Sequence, residues 1–381
     1  MPTRRRTSRL LAPLTAVALA LPLAVASAPA RAAANPTASV AMGDSYISGE
    51  AGRWKGNSLT TATGRAGTDR AWTGSSYDPS RIYADSAANG CDRSDVAEIR
   101  SAALTQNQIN LACSGATSAN IPRAASGGQA YKGEAPQADQ LAAVASRYDV
   151  KLITLSIGGN DLGFADVIIS CVEDYELWGS YCHQDQQAAI DSRMSQAMAG
   201  VGRSVDEIRA VMTAAGKAPG SYRIVLQSYP SPIPRSSENR YPESGWSRTS
   251  TGGCPFWDQD SDWARDRLVP QISDQLARVA AAKGVQFLDL RDMLQGREVC
   301  STATRLATTA NPPTATTSEW ARFLDLGTTI QGAVEESFHP DYYGQLALGR
   351  CLTLLDAKTG GNWSCRNTPG RDATGMYLTA R

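Results

Sequence analysis

Imidazole is scarce in this chain: among its 381 residues there are two histidines, His183 and His339. A three-histidine metal centre is thereby excluded. Charge of one sign is not in excess either, since 37 Lys+Arg are balanced by 37 Asp+Glu. That argues against a nucleic-acid partner, because binding a phosphate backbone needs a basic surplus gathered on one face. No C-x-x-C pair occurs among the eight cysteines, so the usual zinc-ligand spacing is missing. An apolar run long enough for a stable membrane anchor is absent as well: the longest, residues 10–26, is interrupted by Pro13 and Pro22 and falls short of the roughly 20 residues a span requires. No internal repeat or low-complexity tract is visible.

What is present is a globular balance of 42% hydrophobic and 19% charged residues, enough apolar material for a large core. The 33 glycines and 19 prolines suit an enzyme with long loops better than a helical bundle. Arg4, Arg5, Arg6 and Arg9 precede the apolar run, and Ala30-Arg31-Ala32 follows it. This is the charged, apolar and small-residue order of a secretory signal peptide over residues 1–32. The arginine cluster is also compatible with the twin-arginine route. Residues 33–381 then form a single mature domain. All eight cysteines lie in it, and an even count in an exported chain predicts four disulfides, although eight cysteines allow 105 connectivities.

Residues 38–42 read as a buried strand running into the tight turn Gly43-Asp44-Ser45. Further strands are predicted at 108–113, 150–157, 222–227 and 285–290. Helical spacing recurs at 135–148, 186–215, 263–283 and 340–355, the last with Pro340 in its first turn. Alternation of strands and helices predicts an α/β fold with a parallel sheet covered on both faces. Residues 49–89, rich in Gly, Ser, Thr, Asp and Arg and carrying Trp54, Trp72, Tyr77 and Tyr83, read as a long ordered insertion. Residues 302–317 read as a loop.

In a parallel sheet, ligands collect at the carboxyl ends of the strands. Three polar turns end strands there: Gly43-Asp44-Ser45-Tyr46, Cys113-Ser114-Gly115-Ala116 and Gly158-Gly159-Asn160-Asp161. Ser45 stands at a strand-to-helix turn as a candidate nucleophile. The N–H of Ser45, the N–H of Gly115 and the side-chain amide of Asn160 would form an oxyanion hole, where losing one donor costs on the order of 3 kcal/mol. A nucleophilic serine needs a base, and His339, at a loop-to-helix junction, is the candidate. His183, beside Cys182 in a short polar segment, reads as a surface residue.

These blocks resemble those of the GDSL esterases and lipases, the SGNH hydrolases, and more closely their secreted actinomycete branch. Gly43-Asp44-Ser45-Tyr46 matches the nucleophile block, Gly115 the second, Gly159-Asn160-Asp161 the third and His339 the last, in order over residues 38–355. The resemblance implies a flavodoxin-like, three-layer fold with a five-stranded parallel sheet, a shallow open site, no metal and no cofactor. It implies that Ser45 attacks an ester carbonyl to form an acyl-enzyme, and that Asp44 supports the turn. The family often has Asp three residues before the histidine. Glu336 holds that place and is the expected third catalytic member, although some streptomycete relatives use a backbone carbonyl instead. The resemblance also suggests the pairs Cys91–Cys113, Cys171–Cys182 and Cys254–Cys300; Cys351–Cys365 rests on proximity in sequence.

The expected function is a secreted, monomeric hydrolase of acyl lipids, phospholipids or simple fatty esters, its activity rising with pH through a histidine titration near neutrality. Aromatic residues of the insertion would wall an acyl chain if they lie near Ser45. Competing readings are a polysaccharide acetylesterase and a non-catalytic secreted binding protein.

Overall fold

The computed structural model describes residues 1–3, 8, 34–62, 64–177, 179–325 and 334–381. The targeting segment expected over residues 1–32 lies, but for residues 1–3 and 8, outside them. Among the described residues no helix is long and apolar enough to cross a membrane.

The body of the chain, residues 35–381, is built on one sheet. Its strands are β1 (Thr37–Gly43), β2 (Asn107–Asn110), β3 (Asp149–Ser156), β4 (Arg223–Gln227), β5 (Gln286–Asp289), β6 (Trp363–Arg366) and β7 (Tyr377–Ala380), in the order β2-β1-β3-β4-β5-β6-β7. The first five strands are parallel in the flavodoxin-like order. Among the described residues the sheet nevertheless has seven strands, not five. β6 continues it in parallel beside β5, and β7 returns antiparallel beside β6. β1 and β3 are central and almost wholly buried, which is why their sequences, Val40-Ala41-Met42 and Leu152-Ile153-Thr154-Leu155, do not alternate apolar with polar.

Helices cover both faces. On one, Gln137–Arg147 packs against the 32-residue helix His183–Ala214, which packs against Val269–Lys283. On the other, Glu98–Ala102 packs against Tyr342–Asp356. Gly349 permits that second contact: a Cβ there would sit 2.5 Å from Ser101 Cβ and 3.0 Å from the Glu98 carbonyl oxygen. The helix expected over 263–283 starts earlier, as Asp258–Trp263, and passes through a π turn at Ala264–Leu268. The last helix starts later than expected. Asp341 caps it by accepting from the N–H groups of Tyr343 and Gly344 at 2.8 and 3.0 Å, so Pro340 stays outside it. His183 also departs from the surface reading: it opens its helix partly buried, with Nδ1 2.6 Å from Asp260 Oδ1.

Disulfides join Cys91 to Cys113, Cys171 to Cys182, Cys254 to Cys300 and Cys351 to Cys365. The loops they close differ in length, from 11 residues of separation for Cys171–Cys182 to 46 for Cys254–Cys300. Chain entropy then predicts about 3 kcal/mol of stabilisation from the shorter loop and about 4 kcal/mol from the longer. Replacing both cysteines of each pair by alanine, and unfolding the two variants in urea, should show the larger loss for Cys254–Cys300. The opposite ranking would remove the entropic account.

Candidate active site

The turn after β1 is held from several sides. Gly43 adopts φ 136°, and a Cβ there would lie 1.8 Å from the Ser156 carbonyl oxygen, so only glycine lets β1 come this close to β3. The Gln137 amide clamps Gly43, accepting from its N–H at 2.7 Å and donating to its carbonyl at 2.8 Å. Asp44 N–H donates to Ser156 O at 3.0 Å. The Asp44 carboxyl accepts from Tyr46 N–H at 3.2 Å and from the Tyr229 hydroxyl at 2.5 Å. It caps the short helix Ser45–Ser48 and so sets where Ser45 stands. Burial pushes the Asp44 carboxyl up to about 7, with the Tyr229 hydrogen bond opposing.

His339 arrives from the far end of the chain. Its Nε2 lies 2.7 Å from Ser45 Oγ, and its Nδ1 lies 3.0 Å from the Ser337 carbonyl oxygen. A carbonyl only accepts, so Nδ1 carries the hydrogen and Nε2 is left with a lone pair facing the Ser45 hydroxyl. The loop is pinned around this geometry. Phe338 takes φ +62°; its N–H donates to Arg322 O at 2.7 Å, and Arg322 N–H donates back to His339 O at 2.9 Å. The Tyr46 hydroxyl donates to Phe338 O at 2.9 Å, and its ring centroid lies 4.8 Å from that of His339.

The two remaining blocks are tied to each other and to the first. Gly115 has φ +81°, and a Cβ there would lie 2.5 Å from the Tyr131 hydroxyl. Asn160 donates through Nδ2 to Ala116 O at 2.9 Å, tying the third block to the second. Tyr229 accepts from Gly159 N–H at 3.0 Å while donating to Asp44, tying the third block to the first. Among the described residues no group of three or more His, Cys, Asp or Glu side chains is arranged to hold a metal ion.

The sequence profile of the GDSL-like lipase/acylhydrolase family matches residues 41–306. The chain belongs to that family. Over 194 residues this GDSL-family chain is 27% identical to Lipase 1 of Streptomyces coelicolor (strain ATCC BAA-471 / A3(2) / M145), covering 51% of this chain and 56% of that protein. It thus spans little more than half the length of that curated relative. Two solved structures are similar. One is an extracellular lipase from Streptomyces rimosus, at 23% identity and TM-score 0.46, covering 84% of this chain and 100% of that one. The other is phospholipase A1 from Streptomyces albidoflavus NA297, at 21% identity and TM-score 0.45, covering 85% and 100%. The family match ends before His339, so the histidine rests on the geometry.

Glu336 departs from its expected place in this GDSL-family site. Its carboxyl does not meet the imidazole: Oε2 accepts from Trp54 Nε1–H at 2.5 Å, and Oε1 accepts from the Tyr83 hydroxyl. The Ser337 carbonyl occupies the position beside Nδ1 that a third carboxylate would need. The same bonds correct the reading of the insertion. Trp54 and Tyr83 are buried and spend their polar atoms on Glu336, while the Trp72 and Tyr77 rings meet at a 55° tilt with centroids 4.8 Å apart. Trp54 and Tyr83 thus brace the histidine loop through Glu336.

Burial lifts the Glu336 carboxyl to about 7, with the Arg53 guanidinium the first of the groups that oppose it. A carboxyl raised above its unfolded value contributes stability that is full below that value and is lost as pH rises through about 7. Thermal stability measured from pH 5 to 8 should therefore fall more steeply in the wild type than in Glu336→Gln, the other acids cancelling in the difference. Equal slopes would place the titration elsewhere. Turnover of Glu336→Gln should escape the loss of about 10⁴ that follows removal of a triad carboxylate from its imidazole.

Burial also lowers His339 from 6.5 to about 4, with the Ser337 and Glu336 backbone opposing. The neutral titration expected of this histidine is displaced to acid pH. Sequence reasoning missed Tyr46 as a brace and Tyr229 as the link between blocks, whereas the backbone-carbonyl acceptor, here Ser337 O, was its alternative to Glu336. Only Tyr46, inside the first block, carried a positional signal.

Proposed function

We propose that the chain is an exported serine ester hydrolase that cleaves carboxylic esters of acyl lipids, phospholipids or simple fatty esters through an acyl-enzyme on Ser45. The observation that carries this reading is Ser45 Oγ at 2.7 Å from His339 Nε2 while Nδ1 is engaged by a carbonyl. Oγ attacks the ester carbonyl carbon as its proton passes to Nε2, and the π pair moves onto the carbonyl oxygen. The N–H groups of Ser45 and Gly115 and the Asn160 amide hold that oxyanion. Its collapse breaks the ester C–O bond, and the imidazolium returns the proton to the leaving oxygen. Water then repeats the sequence on the acyl-enzyme. No step calls for a cofactor, and a monomer suffices because every group comes from one chain.

Export is supported by the order of residues 1–32 and by four disulfides, which persist in oxidising compartments. The acyl-lipid class is supported by the likeness to Lipase 1 of Streptomyces coelicolor. Incubation with a fluorophosphonate probe, followed by peptide mass spectrometry, should place the adduct on Ser45. An unlabelled protein would favour the binding-protein reading. A series of p-nitrophenyl esters tests the substrate class: rates rising toward medium or long acyl chains support the lipid reading, and a sharp optimum at acetate would replace it with a polysaccharide acetylesterase.

A further inference from the structure

Glu50 lies five residues beyond Ser45, and neither the sequence motif nor the reaction above uses it. Its backbone is fixed to the nucleophile's own turn: Glu50 N–H donates to Ser45 O and to Ser48 Oγ, each at 3.3 Å. Its side chain is 2% exposed. Oε2 accepts from the Ser114 hydroxyl at 2.6 Å and lies 3.6 Å from His339 Nε2. Oε1 is buried with no hydrogen-bond partner. A carboxyl so enclosed is costly, and here it faces the edge of the imidazole that receives the Ser45 proton.

The rest of the site shows why a charge is needed there. Nδ1 of His339 meets a neutral carbonyl, and Glu336 is committed to Trp54 and Tyr83. When Ser45 attacks, a buried imidazolium forms with no anion on its Nδ1 side, and unpaired buried charge is strongly disfavoured. We propose that Glu50, acting through His339, is the positioning residue whose carboxylate balances the imidazolium from the Nε2 side during acylation and deacylation. The proton inventory closes: Glu50 is ionised before attack, one proton moves from Ser45 Oγ to His339 Nε2 and on to the leaving oxygen, and Glu50 neither gains nor loses one. The inference rests on the Ser45–His339 reading.

Burial holds the Glu50 carboxyl well above the ordinary carboxylate range, with the Ser114 hydrogen bond opposing. The charged groups facing it are Asp92 and Glu336, which raise it, and Lys132, which lowers it. The Tyr46 and Tyr83 phenols also feel it. Because the carboxyl must ionise before it can balance the imidazolium, activity should rise with pH as Glu50, and not His339, titrates. The two groups titrate as a coupled pair.

Glu50→Gln keeps the shape and an acceptor for Ser114 while removing the charge. Its kcat should fall about 10- to 100-fold, by 1.4 to 2.7 kcal/mol on conversion, with KM little changed. The acid limb of kcat/KM should move to lower pH, leaving His339 alone to set it. Ser114→Ala, which withdraws the hydrogen bond that favours the carboxylate, should move the limb the other way, to higher pH. Asp44 is also raised, to about 7, but both variants leave it in place, so a limb that belongs to Asp44 would not move. Wild-type kcat with an unmoved limb in Glu50→Gln overturns the inference. If that variant fails to fold, as judged by circular dichroism, an unmoved limb in Ser114→Ala overturns it equally. Fluorophosphonate labelling of the same samples separates the two levels. A wild type unlabelled at Ser45 refutes the underlying reading, whereas labelling of Glu50→Gln at the wild-type rate at every pH refutes Glu50 alone.

Discussion

Ser45→Ala is expected to lower ester turnover by about four orders of magnitude or more and to leave the melting temperature nearly unchanged. The serine is 7% exposed, and the substitution removes a single oxygen. The bonds that build the turn go to its backbone and to its neighbours: Ser48 Oγ and Glu50 N–H donate to the Ser45 carbonyl, and Tyr46 N–H donates to Asp44. What disappears is the hydroxyl facing His339 Nε2. Hydrolysis of p-nitrophenyl esters beside thermal unfolding checks both halves. More than about a tenth of wild-type turnover would remove Ser45 as the nucleophile, because loss of a nucleophile is far costlier than that.

His339→Ala should be comparably severe, and the double variant with Ser45→Ala should be little worse than either single one, since residues that act as a unit are not additive. The pH dependence of stability offers a second readout. Burial lowers His339 from 6.5 to about 4, so the unfolded chain binds the proton more readily across that window. The wild type should therefore lose this part of its stability as pH falls from about 6.5 toward 4. His339→Ala, having no proton to take up, should lack that loss. Turnover surviving in His339→Ala at more than a tenth of the wild-type value would mean that another group accepts the Ser45 proton.

The parallel part of the sheet was legible because β1, β3, β4 and β5 are short apolar runs closed by turn residues, and burial on both faces leaves that signature. The nucleophile turn was legible for a related reason, since Gly43 permits an approach no other residue allows. β6 and β7 were not legible. Each has four residues with little apolar alternation, and it is β5 that recruits β6 into the sheet. The role of Glu336 failed for a different cause. Spacing along a loop fixes a residue's position but not the direction of its side chain, and Trp54 and Tyr83, which turn it away from the imidazole, lie 282 and 253 residues distant. Asp341 likewise was hidden behind Pro340, because a proline suggests the first turn of a helix while the stronger cap stood one residue on.

The four cysteine bridges follow one another along the chain without nesting or crossing: 91 with 113, 171 with 182, 254 with 300, and 351 with 365. In a chain threaded amino end first into an oxidising space, the first cysteine of each pair meets its partner as the next thiol to emerge. Oxidation in order of arrival therefore yields the native set, one arrangement of the 105 that eight thiols permit, with no wrong bridge to be undone. A thiol oxidase alone should then mature the protein at the pace of its emergence, and a disulfide isomerase would find nothing to correct.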